Sequence, residues 1–412
     1  MTHHRNNWRV TAALFALTGI VESFAYGHLA AFTPLYLEQL NVAPELIPRW
    51  TGVLAALGFV LGIPLLPLWG VWADRYSRKL IIVRSAYAGA LMFALSALSA
   101  NVWQLAASRL LVGLVLGNTG VMLAVQAEIT PRERLGLAIA LVTSGLPLGS
   151  ALGSFFGGYV VQRWGVPTLL LIDAMLTMGV ALLVTFVLKE EPRERRVSGS
   201  TIELLRDAGR NMVTTPGVLP LSLLAFVVLL GLSLTNPFVP IRISQLYGGS
   251  DQQLPLIIGQ IISTGSIVMA IGTLGWGRIS DRIGYLPVIR IGALSVALLL
   301  GAQALAWSLP IYAAGFLAQG LMQSGIDASI MALIALRTPT ERRASVLSFS
   351  RLPQQFSWFF GPILGALLSP LGVPVIFAAG SLCGLLGFGA TLLLGRERLE
   401  STGHAQSNAS QP

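Results

Sequence analysis

The sequence predicts an all-α membrane protein with twelve transmembrane helices, arranged as two six-helix bundles. Three observations lead to this fold class. The chain of 412 residues is 54% hydrophobic and only 11% charged, and its mean hydropathy of +0.72 lies far outside the range of soluble domains. Its apolar residues are grouped into long runs, and a charged motif between those runs occurs twice, half a chain apart.

The charged motif is the clearest sign of a duplication. It reads Gly70-Val-Trp-Ala-Asp74-Arg75-Tyr-Ser-Arg78-Lys79 and then Gly277-Arg-Ile-Ser-Asp281-Arg282-Ile-Gly284, with 207 residues between Asp74 and Asp281. Three further pairs keep steps of 206 to 208 residues: Phe32-Thr-Pro34 with Phe238-Val-Pro240, Thr130-Pro-Arg-Glu133-Arg134 with Thr338-Pro-Thr-Glu341-Arg342, and Gly153-Ser-Phe-Phe-Gly157 with Gly361-Pro-Ile-Leu-Gly365. Four matches in one register indicate a tandem repeat.

Each repeat contains six apolar runs of roughly 20 or more residues, the length that crosses a bilayer. We number them spans 1 to 12, at residues 11–37, 50–72, 80–101, 103–127, 137–162, 166–188, 217–241, 254–276, 286–308, 311–336, 345–368 and 371–394. A six-span unit begins and ends on the same side, so the two bundles should be related by a pseudo-twofold axis along the membrane normal. The predicted domains are an N-terminal tail (1–10), a first bundle (11–188), a linker (189–216), a second bundle (217–394) and a C-terminal tail (395–412).

The basic residues predict the orientation. With the N-terminus inside, 22 of the 27 Lys and Arg residues fall in inner segments. The positive-inside rule therefore places both termini, the linker and both tails in the cytoplasm. The net charge of +9 follows from this topology and from contact with anionic lipid, so no nucleic-acid partner is expected.

Several chemistries lack the residues they need. The only cysteine is Cys383, four histidines make no metal constellation, and no phosphate-binding Gly-rich loop is followed by Lys. No nucleophile with a base can be assembled from the spans. We therefore expect no metal, no cofactor and no enzymatic activity.

Two motifs inside the spans complete a family pattern. Arg109-Leu-Leu-Val-Gly113 lies in span 4, and Gly145-Leu-Pro-Leu-Gly149-Ser-Ala-Leu-Gly153-Ser-Phe-Phe-Gly157-Gly158 lies in span 5. Together with the repeated charged loop and Pro34-Leu-Tyr-Leu37, they resemble the motifs of the major facilitator superfamily, and within it those of the drug/proton antiporter branch. The chain departs from these motifs at Val112, where Gln is usual, and at Ser154, where Pro is usual.

The resemblance implies a proton-coupled secondary transporter that works by alternating access in a bacterial cytoplasmic membrane. We expect an antiporter that exports lipophilic or cationic small molecules, with a proton-coupled uptake symporter for a small metabolite as the alternative. The expected partners are a small-molecule substrate, protons and the lipid bilayer, and the expected state is a monomer. The proton gradient would drive transport without a cofactor.

Ionisable residues inside the spans are the candidates for mechanism, because burying a charge in the bilayer is costly. Glu22 lies near the middle of span 1 and is predicted to carry the proton. Arg109 in span 4 differs from it in depth by roughly 10 Å and is predicted to couple to it, directly or through water. Asp327 and Arg351 match in depth and are predicted to form a buried pair. Asp173 is read as a structural partner.

His28 lies six residues from Glu22 and does not share its helix face. It is read as a histidine with satisfied hydrogen bonds or one at the lipid interface, rather than as a proton relay.

The substrate cavity candidates are Tyr26, Phe24, Gln355, Trp358 and Phe359. Aromatic side chains around one carboxylate suit lipophilic cations. The resemblance adds Gly149, Gly153, Gly157 and Gly158 as the antiporter-like glycine motif.

The repeated loop is predicted to act as an inner latch. Gly70 permits close helix packing, and Asp74 can accept hydrogen bonds at a helix N-terminus. Arg75 and Arg78 would hold Asp74 or pair with Glu133. The second copy supplies Gly277, Asp281 and Arg282.

Asp74→Asn is expected to move the protein toward the inward-open state without unfolding it. Losing a cap or a charge-assisted hydrogen bond costs about 1 to 2 kcal/mol, and about 1.4 kcal/mol is tenfold in a two-state ratio. Single cysteines in the inner loops of a Cys383→Ser background should then react faster with a membrane-impermeant thiol reagent on the cytoplasmic side. Unchanged labelling together with lost transport would exclude the latch.

Overall fold

The computed structural model describes residues 7–189, 201–338 and 343–408, and the regular structure in these ranges is helical, without a β-strand. The α-helices are α1 Trp8–Gln39, α2 Ile47–Arg75, α3 Arg78–Ala97, α4 Val102–Arg109, α5 Val112–Val115, α6 Asn118–Ile129, α7 Leu135–Val187, α8 Thr201–Thr214, α9 Val218–Thr235, α10 Val239–Leu246, α11 Leu254–Ile283, α12 Tyr285–Leu305, α13 Leu309–Gln323, α14 Ile326–Arg337, α15 Arg343–Ser350, α16 Leu352–Leu368 and α17 Val373–Asn408. Short 3₁₀ turns join some of them.

The helices account for all twelve predicted spans. Within the described ranges, nine helical segments are long and apolar enough to cross a membrane. One of them contains α7, whose 53 residues would extend about 80 Å, far beyond a hydrocarbon core of about 30 Å. Gly165, with a non-helical φ of 80°, divides α7 into a first arm (span 5) and a second arm (span 6). Spans 10 and 11 are each broken into two shorter helices.

Span 1 packs directly against span 5 through glycines of α7. A Cβ added to Gly145 would lie 2.7 Å from the carbonyl oxygen of Ala16. A Cβ added to Gly153 would lie 2.5 Å from the carbonyl oxygen of Phe24. Gly149 meets the Ile20 carbonyl in the same way, and Gly157 meets the ring of His28. Each contact advances four residues on both helices, so the two backbones run side by side in the same direction. The glycine motif of the sequence is therefore the docking surface for span 1.

The other side of the motif faces the beginning of α11. A Cβ on Gly158 would lie 2.7 Å from the carbonyl oxygen of Pro255, and Gly259 meets the backbone of Ser154. The hydroxyl of Ser263 donates to the carbonyl oxygen of Ala151 at 2.7 Å. Span 5 thus contacts span 1 on one side and span 8 on the other.

Spans 4 and 10 are both interrupted, and in each a tryptophan indole hydrogen-bonds to a backbone carbonyl near the break. The indole N–H of Trp69 donates to the Gly113 carbonyl oxygen at 3.2 Å, and that of Trp276 donates to the Leu321 carbonyl oxygen at 2.8 Å. At both breaks a glycine meets the tryptophan: a Cβ on Gly117 would lie 3.0 Å from Trp69, and one on Gly325 would lie 2.7 Å from Trp276. Carbonyls freed inside a bilayer need such partners. The two halves of the repeat therefore share this tryptophan hydrogen bond as well as their sequence motifs.

The chain forms two compact units. Unit 1 comprises Met1–Asp207, Asn236–Ile267 and Pro362–Pro370, and unit 2 comprises Ala208–Thr235, Val268–Gly361 and Leu371–Pro412. These units follow packing, whereas the two bundles were predicted from the repeat, so the domain boundaries stay a prediction. Residues 1–6 of the predicted N-terminal tail, 190–200 of the linker and 409–412 of the C-terminal tail lie outside the described residues. The last helix continues to Asn408, beyond the predicted end of span 12.

Gly149→Ala is expected to lower the stability of the protein by about 1 to 3 kcal/mol, because the new methyl group would press on backbone that cannot rotate away. Gly179→Ala is the matched control on the same helix, since nothing lies within 4 Å of its Cβ position. The control is expected to be neutral or slightly stabilising, as alanine favours helix. Thermal unfolding in detergent measures both, and equal melting temperatures would show that span 1 does not dock on this glycine.

Candidate functional site

Glu22 is held at the break of span 4. Its carboxylate accepts a hydrogen bond from Asn118 Nδ2 at 2.6 Å. Asn118 is the first residue of α6 and follows Gly117, whose φ of 93° interrupts the helix. The break therefore places a neutral amide against the predicted proton carrier. Sequence reasoning missed Asn118, although a Gly-Asn pair inside an apolar span was a readable signal.

Arg109 does not pair directly with Glu22. It ends α4, is 4% exposed, and its Nη2 donates to the Thr33 hydroxyl oxygen at 3.4 Å. Thr33 lies eleven residues after Glu22 on α1, which corresponds to a rise of about 16 Å. Among the described residues, neither Tyr26 Oη nor Arg109 Nε has a hydrogen-bond partner.

Two further arginines, Arg84 and Arg290, hydrogen-bond to backbone carbonyls. Arg84 Nη2 donates to the Leu116 carbonyl oxygen at 2.9 Å, and its guanidinium lies 3.5 Å from the ring centroid of Trp69. Arg290 Nη2 donates to the Thr391 carbonyl oxygen at 3.0 Å. Other guanidinium nitrogens of the two residues are buried without a hydrogen-bond partner among the described residues, namely Nε and Nη1 of Arg84 and Nε of Arg290.

The predicted buried pair of Asp327 and Arg351 is not formed. Asp327 Oδ1 accepts from Gln354 Nε2 at 3.0 Å, whereas Arg351 is exposed at the break between α15 and α16. The prediction matched Asp327 and Arg351 by their depth in the membrane, and this depth does not determine the direction in which their side chains point. A neutral amide again holds the carboxylate, as at Glu22.

The other predicted cavity residues belong to different units. Gln355, Trp358 and Phe359 are partly buried on α16 in unit 2. Tyr26 packs edge-on against Phe93, with ring centroids 5.9 Å apart, in unit 1. Phe24 packs against His28, with ring centroids 4.6 Å apart, so it belongs to the interface between α1 and α7.

His28 and Asp173 form a buried pair. His28 Nδ1 is 2.9 Å from both carboxylate oxygens of Asp173, and the two residues are 1% and 0% exposed. Of the two readings of His28, the satisfied histidine agrees with these contacts and the lipid-interface residue was wrong. Asp173 has the structural contact expected of it.

The latch is described only in part. The side chains of Gly70 and Asp74 lie outside the described residues. Arg78 pairs with Glu128 at 2.6 Å rather than with the predicted Glu133. The remaining predicted latch residues are exposed, namely Arg75, Glu133, Gly277, Asp281 and Arg282.

These features define the class of the protein. Twelve spans in a duplicated arrangement, with carboxylates held at broken helices rather than at a nucleophile or metal site, are typical of a multi-pass membrane transporter.

The chain belongs to the major facilitator superfamily, whose sequence pattern matches residues 15–219 and 221–411. It is 25% identical over 370 residues to the multidrug resistance protein MdtG of Klebsiella pneumoniae (strain 342), covering 88% of each chain. It is also 25% identical over 370 residues to MdtG of Citrobacter koseri, covering 88% of this chain and 89% of that relative.

Solved structures of the same fold are more distant in sequence. A bacterial homologue of the human lysosomal transporter Spinster, in an inward-facing and occupied conformation, superimposes with a TM-score of 0.77 at 16% identity, over 94% of this chain and 96% of that one. The nucleoside transporter NupG gives a TM-score of 0.74 at 14% identity, over 94% of this chain and 98% of that one. As a member of the major facilitator superfamily, the chain is a membrane transporter and not an enzyme.

Proposed function

We propose that this protein is a proton-coupled antiporter that exports lipophilic or cationic small molecules across a bacterial cytoplasmic membrane, with both termini in the cytoplasm. The observation that carries the proposal is the Glu22 carboxylate, held in the middle of span 1 by the amide of Asn118 at 2.6 Å. The names of the multidrug resistance relatives support the substrate class.

The amide of Asn118 positions Glu22 without neutralising it. An amide N–H donates a hydrogen bond but carries no charge, and no ion pair to Glu22 is found among the described residues. A carboxylate inside a membrane span that has no cation beside it gains strongly from taking up a proton or a cationic substrate. Competition between these two ligands for one carboxylate is the requirement for exchange.

Arg109 and Tyr26 extend the site along α1. Tyr26 is one helical turn from Glu22, and its buried hydroxyl has no hydrogen-bond partner among the described residues. Arg109 contributes a fixed positive charge further along the same helix, where its Nη2 reaches Thr33. We assign Arg109 the role of biasing the protonation of Glu22, and Tyr26 that of a substrate contact.

The remaining assignments follow from the same mechanism. Gln355, Trp358 and Phe359 on α16 supply aromatic surface and a hydrogen-bonding amide for a lipophilic substrate. Asp74, with its repeat Asp281, closes the inner side by the latch, and the protein works as a monomer powered by the proton gradient without a cofactor.

Glu22→Gln is expected to bind substrate but to lose gradient-driven transport, because Gln keeps the hydrogen bond to Asn118 and cannot release a proton. Everted vesicles with an imposed inward-acid gradient measure this: adding a cationic substrate should dissipate the gradient in the wild type and not in the variant. Glu45→Gln is the matched control, since Glu45 is an exposed carboxylate in the 3₁₀ turn that precedes α2.

Three outcomes contradict parts of the proposal. Full proton-driven transport by Glu22→Gln would remove Glu22 from the mechanism. Proton movement in the same direction as substrate would make the protein a symporter. No proton movement with any of a panel of cationic and neutral compounds would exclude coupling to protons.

Arg109→Lys is expected to lower the transport rate about tenfold or more. The reason is the loss of a hydrogen bond to a charged group, which contributes about 1.5 to 3 kcal/mol. Lysine keeps the charge but lacks the planar fork that reaches Thr33 from the end of α4. Arg49→Lys is the control, because Arg49 is exposed. Transport at the wild-type rate by Arg109→Ala, at equal expression, would show that the charge at this position is only tolerated.

A further inference from the structure

One buried acid–base pair takes no part in the mechanism proposed above. His28 of α1 has Nδ1 2.9 Å from both carboxylate oxygens of Asp173 on the second arm of α7. Its Nε2 lies 2.7 Å from the Gly153 carbonyl oxygen on the first arm. A single imidazole ring therefore joins span 1 to spans 5 and 6 at once.

The two contacts of the ring limit how protons can be placed on His28 and Asp173. A carbonyl oxygen only accepts hydrogen bonds, so Nε2 must carry a hydrogen. An ionised carboxylate also only accepts, and the equal distances from Nδ1 to Oδ1 and Oδ2 fit one N–H shared between both oxygens. Both contacts fit the imidazolium form of His28 opposite the carboxylate of Asp173; the other arrangement that satisfies them is a neutral ring that accepts from a protonated Asp173 carboxyl, and each arrangement holds one proton on the pair.

Loss of one proton breaks this arrangement. A neutral imidazole has a single N–H, so it donates either to Gly153 or to Asp173, and its other nitrogen then turns a lone pair toward an acceptor. Asp173 would also keep its charge without a counter-ion at a position that is 0% exposed, which is costly. The deprotonated pair therefore favours a looser contact between α1 and α7.

The space for the pair is built into the helices. A Cβ on Gly157 would lie 2.5 Å from Cδ2 and 2.7 Å from Nε2 of His28, so the ring occupies the room that the missing side chain leaves. Phe24 and Phe32 cover it, with ring centroids 4.6 and 6.2 Å from that of His28. Glycine on one side and two aromatic rings on the other keep water away from the pair.

Among the described residues, Asp173 is the charged side chain that contacts His28. The other ionisable groups on the helices around the pair have their own contacts or lie further along: Glu22 on α1, Arg84 on α3, Arg109 on α4 and Arg242 on α10. Glu22 is six residues from His28, a rise of about 9 Å, on a different helix face.

We propose that His28 and Asp173 form a second proton-binding site, which holds one proton while span 1 is docked on spans 5 and 6 and releases it when that docking loosens. This site stands whether or not Glu22 is the coupling carboxylate. Any movement of span 1 against span 5 during transport would then be linked to uptake or release of a proton at His28.

The protonation of His28 can be observed directly. His3, His4, His28 and His404 are the histidines of the chain, so replacing His3, His4 and His404 by Gln leaves His28 alone. With a histidine-free purification tag and ¹⁵N-labelled histidine, NMR of the ring nitrogens between about pH 5 and 9 covers the range in which histidines titrate. We expect two protonated ring nitrogens at the acidic end and loss of one proton as the pH rises.

Two variants in this background separate the pair from its surroundings. Asp173→Asn removes the counter-ion, so the titration of His28 should disappear and the ring should stay neutral. Glu22→Gln should leave the titration unchanged, which keeps this result independent of the proposed function. Neutral ring signals at every pH in the single-histidine protein, or a titration unaffected by Asp173→Asn, would overturn the proposal.

Thermal unfolding gives a second measurement that needs only one conservative variant. The protonated pair stabilises the folded state, so its contribution is present at low pH and is lost as the pH rises through the titration. The difference in melting temperature between wild type and His28→Gln should therefore shrink with rising pH. A difference that is constant with pH would show an ordinary hydrogen bond and no proton site.

Discussion

The backbone contact between span 1 and span 5 determines where every ionisable side chain of α1 points. The two helices meet at glycines spaced by four residues, so α1 cannot rotate about its axis without driving its own carbonyls into α7. Ile20 and Phe24 lie on the docked face. Glu22 is two residues from each, about 200° around the helix, and is therefore turned away from α7 toward the break in span 4. The same rotation of α1 about its axis therefore produces both the contact with α7 and the hydrogen bond to Asn118.

The sequence predicted the features that periodicity and repetition encode. Runs of apolar residues located the twelve spans, because this signal is local. The glycines of span 5 were recognised as a motif, but their contact with span 1 was found only in the structure. A hydrogen bond between residues 96 positions apart, such as that of Glu22 with Asn118, leaves no pattern in the neighbouring sequence. The same limit explains Asp327 and Arg351: depth follows from counting residues, but the direction of a side chain depends on how its helix is rotated and where it breaks.

The two halves share their scaffold and differ in their chemistry. Trp69 and Trp276 make equivalent hydrogen bonds at equivalent breaks. At the 208-residue step, however, Asn118 is replaced by Ile326, and the counterpart of Arg109 at the 207-residue step is Phe316. Structural bonds of the backbone were retained in both copies because a bilayer offers no other partner for a freed carbonyl. Ionisable side chains had no such constraint and could be kept in one copy only.

The joint between spans 5 and 6 has a consequence for how the protein is made. At Gly165 the chain leaves the helical conformation for one residue only, so no loop separates the first arm of α7 from the second. A helix inserted alone would leave the start of its neighbour stretched at the membrane surface with its apolar face in water. Entry of both arms together, as a hairpin, avoids this exposure and brings into the bilayer the glycines on which span 1 docks.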